Sequence, residues 1–145
     1  MFRQRTFVGL DVHARSVVGH AMDEHTGAVW QQRLPADPPG VWGWLESLPQ
    51  PVKVTYEAGP TGYALARFLR GHGIACPVAA PSKLTRPAGN RVKTDAKDAE
   101  HLCRLLRLDE IVEVIVPDTD QEAARDLVRA GEDVRGELMR ARLRA

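Results

Sequence analysis

The sequence contains only two cysteines among its 145 residues, Cys76 and Cys103, and neither has a neighbour at zinc-ligand spacing. It has no signal-type apolar run at its start and no run long enough to cross a bilayer. Its formal net charge is only +1, so no overall field favours nucleic acid or a membrane surface. These absences predict a cytoplasmic protein of a reducing compartment. Any contact of this protein with nucleic acid would depend on local patches of positive charge.

The chain nevertheless has the composition of an ordinary globular protein. Its residues are 43% apolar and 27% charged, and its length suffices to bury a core in one domain. Short β-type runs bounded by turns fill the first half. They predict strands at residues 6–12, 16–23, 28–35, 52–58 and 74–80, with a sixth short strand or an extended connection at 111–117.

Helical spacing of apolar residues alternates with the later strands. The predicted helices lie at residues 37–48, 59–73, 95–108 and 118–145. Thr94 is a plausible N-cap of the third, and the fourth keeps a rough heptad pattern, typical of a pairing connector. Three antiparallel strands followed by strand, helix, strand and helix indicate an α/β fold with a mixed central sheet.

Four acidic residues are candidates for one site. Asp11 and Glu57 end predicted strands, while Asp95 and Asp98 lie three residues apart and so share one face of a predicted helix. If the first and fourth strands are neighbours, these carboxylates converge at the carboxyl edge of the sheet. Hard oxygen ligands suit Mg²⁺ or Mn²⁺, and two such ions would serve phosphoryl transfer. Taken singly, each acidic residue is more typical of a solvated surface, and the combination of the four favours a site.

A basic stretch precedes the acidic helix. Its cationic residues are Lys83, Arg86, Arg91, Lys93 and Lys97. These side chains either contact phosphates of DNA or RNA or form a solvated loop, and no aromatic residue lies among them to stack on bases. His13 and Arg15, just beyond Asp11, are further candidates for phosphate contact, and His13 also for proton transfer.

Three segments carry a resemblance to a known family. "FVGLDVHARS", "YEAGPTGYALARFL" and "PSKLTRPAGNRVKTDAKDAEHLCRLL" resemble the amino-terminal domain of DEDD transposases of the insertion-sequence-110 group, in the same order and with similar spacing. The match covers residues 6–107 and continues more loosely to the end of the chain. Family members usually have lysine after the "DVH" motif, where this sequence has Ala14 and Arg15.

The resemblance implies an RNase H-like (RuvC-like) fold in residues 1–116 and a long C-terminal helix in residues 117–145. It implies a metal-binding tetrad of Asp11, Glu57, Asp95 and Asp98. It also implies recombination of element-end DNA guided by a structured RNA, in a bacterial, nucleoid-associated enzyme. Family members add a second domain with a serine nucleophile. The last helix is expected to pair with its copy in a homodimer or higher oligomer.

Other functions are compatible with parts of the pattern. A free-standing RuvC-like junction resolvase would use the same carboxylates without a second domain. A truncated fragment could bind RNA or a partner and regulate the full-length transposase without catalysis. Sugar kinases and actin-like ATPases also start with a strand meander and an early aspartate, but they need glycine-rich phosphate loops that this sequence lacks.

Overall fold

A computed structural model describes residues 4–81, 94–125 and 127 of the chain. Within these ranges a six-stranded mixed sheet has the strand order β3-β2-β1-β4-β5-β6. The strands are β1 (Thr6–Val12), β2 (Ser16–Asp23), β3 (Val29–Pro35), β4 (Val52–Glu57), β5 (Val78–Ala79) and β6 (Glu113–Val114). The helices are α1 (Pro38–Glu46), α2 (Ala64–Gly71) and α3 (Asp95–Arg107), and residues 119–125 are also helical.

The first three strands form the predicted antiparallel meander. β1 pairs with β2 and β2 with β3, and the β2–β3 turn contains Gly27 at a φ of 75°. A partly buried ion pair stabilises this turn: the Asp23 carboxylate accepts hydrogen bonds from the Arg5 guanidinium at 3.2 and 3.1 Å and from the backbone N–H of His25 at 2.8 Å. The start of the sheet is therefore fixed by polar contacts as well as by strand pairing.

β4 pairs in parallel with β1, as the prediction of a shared carboxyl edge requires. Leu10 of β1 lies opposite Tyr56 of β4, so the next residues of the two strands, Asp11 and Glu57, lie side by side at the end of the ladder. Successive side chains of a strand point to opposite faces. Leu10 and Tyr56 are fully buried on one face of the sheet. The side chains of Asp11 and Glu57, one residue further along each strand, therefore point to the opposite face.

The helices cover both faces of the sheet. Apolar residues of α1 and α2, such as Val41 and Leu69, share one core cluster with Val8, Leu10 and Tyr56. α3 packs on the opposite face, against Gly9 of β1. A Cβ atom at Gly9 would collide with the carbonyl oxygen of Ala99, so glycine is what allows α3 to approach the strand this closely.

The fifth strand is shorter than the predicted 74–80. Only Val78–Ala79 form β5, with an isolated parallel bridge between Lys53 and Ala75. Pro77 interrupts the ladder because it has no N–H to donate. Its carbonyl oxygen instead accepts a hydrogen bond from the Thr55 hydroxyl at 2.8 Å. Of the predicted segment 111–117, only Glu113–Val114 form the sixth strand, which pairs antiparallel with β5.

The remaining helix predictions differ in extent. α3 begins after its N-cap Thr94, as the sequence predicts. α1 (Pro38–Glu46, with Asp37 as N-cap) and α2 (Ala64–Gly71) are shorter than the predicted 37–48 and 59–73. The fourth helix is described only over residues 119–125 and at 127, so the predicted heptad helix to residue 145 and its pairing lie mostly outside the described residues. No helix in the described part of the chain is long and apolar enough to span a bilayer.

Candidate metal centre

Asp11, His13 and Asp95 come together at the carboxyl edge of the sheet. The Nε2 atom of His13 lies 2.8 Å from Oδ2 of Asp11 and 3.2 Å from Oδ1 of Asp95. One ligand atom from each of the three residues lies within 4.8 Å of those of the other two. The group thus joins the end of β1 to the start of α3.

Local structure explains how each side chain reaches this position. His13 follows β1, and its backbone N–H donates to the Ser16 carbonyl at 3.0 Å, which closes the turn into β2. Asp95 is the first residue of α3, and the N-cap Thr94 hydroxyl accepts from the Lys97 N–H at 3.2 Å. A carboxylate in the first helical turn is favoured by the helix dipole, which lowers the cost of placing Asp95 beside another acid.

The other two predicted acidic residues lie next to this group but are not members of it. Glu57 is half-buried at the end of β4, beside Asp11 in the parallel ladder. Asp98 is half-buried in the first turn of α3, on the face that it shares with Asp95. The structure therefore brings Asp11 and Asp95 together with His13, and the four-carboxylate tetrad stays a prediction.

Burial and hydrogen bonding change the proton affinity of this group. The Asp11 side chain is 18% exposed, and its burial raises the pKa of this carboxyl group even though the hydrogen bond from His13 lowers it. The hydrogen bond to Asp11 raises the pKa of His13, and the negative charge of Asp95 adds to this effect. These contacts favour the protonated form of the imidazole, which would offset the mutual repulsion of the two carboxylates.

The donor set fits a divalent cation. Asp11 and Asp95 supply the carboxylate oxygens that Mg²⁺ and Mn²⁺ prefer, and a neutral imidazole nitrogen at His13 is an additional ligand that Mn²⁺ accepts more readily than Mg²⁺. A bound cation would take over the charge compensation that His13 provides without it. The chemistry of these donors is thus compatible with the predicted metal, while the identity and number of ions are not fixed by it.

Comparison with known proteins identifies the family. Residues 8–145 match the DEDD family model of the insertion-sequence type IS110, which is described as "Transposase". The chain belongs to the IS110 family of DEDD transposases.

Two curated relatives share this assignment. "Putative transposase y4qE" of Sinorhizobium fredii is 42% identical over 133 residues, which make up 88% of this chain and 34% of the relative. "Transposase for insertion sequence element IS1533" of Leptospira borgpetersenii is 30% identical over 147 residues, 98% of this chain and 42% of the relative. This member of the transposase family therefore spans between a third and a half of the length of these relatives.

Two of the six cationic residues predicted to contact phosphate lie within the described part of this transposase-family chain. Lys97 and Arg15 are exposed, and Lys97 lies in α3 between Asp95 and Asp98. The rest of the predicted basic stretch, Lys83, Arg86, Arg91 and Lys93, lies outside the described residues. Phosphate contact by all six cations therefore stays a prediction.

The sequence pattern did not include His13 among the metal ligands. It suggested proton transfer or phosphate contact, whereas the structure places the imidazole directly between two of the predicted metal ligands. A signal for this was present in the spacing: side chains two residues apart on an extended segment point to the same face, which places Asp11 and His13 side by side.

A cavity of about 400 Å³ opens at the same edge, towards α1 and α2. Its lining includes His13, Asp37, Tyr56 and residues 60–62 of the β4–α2 loop. This loop contains Gly62 at a positive φ of 78°, a turn conformation that favours glycine. His13 therefore links the acidic group on one side of the edge with an apolar cavity on the other.

Proposed function

We propose that this chain is the metal-dependent catalytic domain of a DNA transposase or recombinase that acts on element-end DNA. The observation that carries the proposal is the meeting of Asp11 and Asp95 around His13 at the carboxyl edge of the sheet, in a chain of the IS110 transposase family. The proposed fold is RNase H-like in residues 1–116, which the mixed sheet with its antiparallel meander supports. Residues 117–145 are proposed to form the connecting helix.

In this proposal the acidic side chains bind the cation, and His13 compensates their negative charge when no cation is bound. Asp11 and Asp95 bind directly, and Glu57 and Asp98 complete the set from the neighbouring strand and the next position of the same helix face. A bound Mg²⁺ or Mn²⁺ would supply charge stabilisation and an activated oxygen for phosphoryl transfer. His13 would hold a proton at Nε2 when the site is metal-free and give it up when the cation binds.

The cationic residues would orient the nucleic acid. Lys97 and Arg15 are exposed beside the acidic group, where they can neutralise the phosphates that flank the reacting one. The family membership supports DNA as the substrate. A structured guide RNA, a serine-bearing second domain and a homodimer paired through the last helix complete the proposed assembly, which would act at the bacterial nucleoid.

Metal binding and DNA cleavage together test this proposal. Calorimetric titration of the metal-free chain with Mn²⁺ should give saturable binding, and Asp11→Asn or Asp95→Asn should weaken it by at least about tenfold. Glu46→Gln is the matched control because Glu46 is exposed at the end of α1. Circular dichroism should show that all these variants remain folded.

Cleavage is then measured with element-end and branched DNA in Mn²⁺, with and without the serine-bearing domain of a relative. Recombination that requires both polypeptides and is lost in Asp11→Asn supports the proposal. Cleavage of four-way junctions by the chain alone would identify a junction resolvase instead. Tight RNA or partner binding without metal binding or cleavage would favour the regulatory fragment and contradict the proposed chemistry.

A further inference from the structure

The acidic side chain of Glu122 connects the helical residues 119–125 to the amino-terminal end of α2. Oε1 of Glu122 accepts the backbone N–H of Tyr63 at 3.1 Å, and its carboxylate also pairs with the Arg67 guanidinium. The side chains of Arg67 and Glu122 are 28% and 20% exposed, so the ion pair is partly shielded from water. Tyr63 caps α2 without a side-chain hydrogen bond of its own, and Glu122 fills that role from a distant part of the chain.

Arg67 holds the same segment at a second point. Its Nη1 donates to the Pro117 carbonyl at 3.1 Å, just before the helical turns begin. Asp118 and Gln121 then cap the helix reciprocally: the Gln121 N–H donates to Asp118 Oδ1 at 2.7 Å, and the Asp118 N–H donates to Gln121 Oε1 at 3.2 Å. One arginine thus fixes both the entry of the segment and its first turn.

The β4–α2 loop that contacts Glu122 has space for the carboxylate because residue 62 is a glycine. A Cβ atom at Gly62 would collide with Glu122 Oε1, and the φ of this residue is +78°. The Tyr56 hydroxyl donates to the Gly62 carbonyl at 3.3 Å and accepts the Ala66 N–H at 3.2 Å. The receiving loop is therefore held rigidly to β4, the strand that ends at Glu57.

Apolar packing contributes little to this attachment. Within residues 118–125 every side chain except Glu122 is exposed, and Leu127 is 74% exposed. A helix held mainly by an ion pair and hydrogen bonds gains orientation from their directionality but little stability from burial. Such contacts can fix the direction of the helix. The contacts of Glu122 and Arg67 together form a joint between this helix and the sheet domain.

We propose that Glu122 and Arg67 are positioning residues that fix the direction in which the chain leaves the sheet domain, beside the edge that carries Asp11 and Glu57. The inference rests on the proposed function, because its consequence is the alignment of the remaining part of the transposase with the acidic group. The cavity lined by both His13 and Gly62 shows that the joint and the acidic group adjoin the same space.

Amide hydrogen exchange of the 145-residue protein tests the joint without any activity. Glu122→Ala should speed exchange at the Tyr63 amide and across residues 119–125 by about tenfold or more, since it removes a charged hydrogen-bond acceptor. Glu122→Gln keeps an acceptor but loses the ion pair, so its effect should be smaller. Asp120→Asn, an exposed change in the same segment, should leave both rates unchanged.

Arg67→Ala and the double variant Arg67→Ala/Glu122→Ala complete the test. If the two side chains act as one joint, the double variant exchanges no faster at residues 119–125 than the faster of the two single variants. Independent, multiplicative effects would overturn the proposed joint. Unchanged exchange in Glu122→Ala would overturn it as well.

The positioning role is measured with the serine-bearing domain joined to the chain. Glu122→Ala should lower kcat for recombination at least several-fold while leaving KM for DNA and the Mn²⁺ affinity of the acidic group unchanged. An unchanged kcat despite faster exchange would contradict the positioning role. Absence of Mn²⁺ binding in the wild-type chain would contradict the proposed function instead, and the exchange measurements would still decide whether the joint exists.

Discussion

Gly9 of β1 lies against the backbone of Ala99 in α3. A Cβ atom at Gly9 would meet the Ala99 carbonyl oxygen, and it would also lie 2.5 Å from the backbone nitrogen of Cys103. The absence of a side chain at this one position sets how closely the helix approaches the sheet. Because Asp11 lies two residues further along β1 and Asp95 one turn earlier in α3, this contact determines whether the acidic group can form.

Gly9→Ala should therefore destabilise the fold and weaken metal binding together. Forcing a methyl group between two backbones requires α3 to move, which costs about 1–3 kcal/mol in the free energy of unfolding. Urea denaturation measures this loss, and calorimetry with Mn²⁺ measures the second effect. Gly43→Ala is the control: nothing lies within 4 Å of its would-be Cβ, and alanine in a helix should stabilise by about 0.5–1 kcal/mol.

The His13 imidazole should titrate above its ordinary pKa in the metal-free protein. Asp11→Asn removes the hydrogen-bonded carboxylate that contributes most to this shift, so the pKa of His13 should fall. An NMR titration of the His13 ring protons follows the change directly. An equal pKa in the wild type and in Asp11→Asn would contradict the close contact between the two side chains.

Acid stability should depend on Asp23. Its hydrogen bonds with Arg5 hold the pKa of this carboxyl group well below the usual range, so its stabilising effect is present above the ordinary carboxyl pKa and is lost as the pH falls towards its folded value. Asp23→Asn should lower Tm at neutral pH and flatten its decrease below about pH 4. Thermal melts from pH 7 to pH 2 measure this, with the exposed Asp120→Asn as a variant that should follow the wild type.

Both thiols should be unreactive in the native protein. Burial raises the pKa of Cys76 to about 12 and that of Cys103 to about 11, and Cys103 also contacts the Phe7 carbonyl through its sulfur at 3.3 Å. Since the thiolate is the nucleophile, reaction with a disulfide reagent at pH 8 should be at least about tenfold slower than in denaturant. Rapid modification of either thiol without denaturant would show that the core opens more readily than this packing implies.

Structural elements that form from residues near one another in the chain were predictable from the sequence. The β1–β2–β3 meander follows from short β-type runs and turns, and the start of α3 follows from Thr94, whose hydroxyl caps the helix as predicted. The proximity of Asp11 to the helix also followed, because the strand end and the helix start both lie at the carboxyl edge. The meander and the start of α3 depend on residues close together in the chain, whereas the proximity of Asp11 to α3 depends on both elements meeting at one edge of the sheet.

Features that depend on distant residues were not predictable in the same way. Pro77 shortens β5 because its missing N–H matters only once β4 lies beside it. The contact of Glu122 with Tyr63 joins residues 59 positions apart, and no spacing rule covers such a pair. The placement of His13 next to Asp95 likewise requires the packing of α3 on β1.

The order of the elements along the chain has a consequence for protein synthesis. Asp11 and His13 leave the ribosome with the first strand, whereas Asp95 follows only after five strands and two helices have been translated. The two halves of the acidic group therefore meet only when α3 docks on the strands that precede it. The acidic group should therefore be complete only after this late docking step.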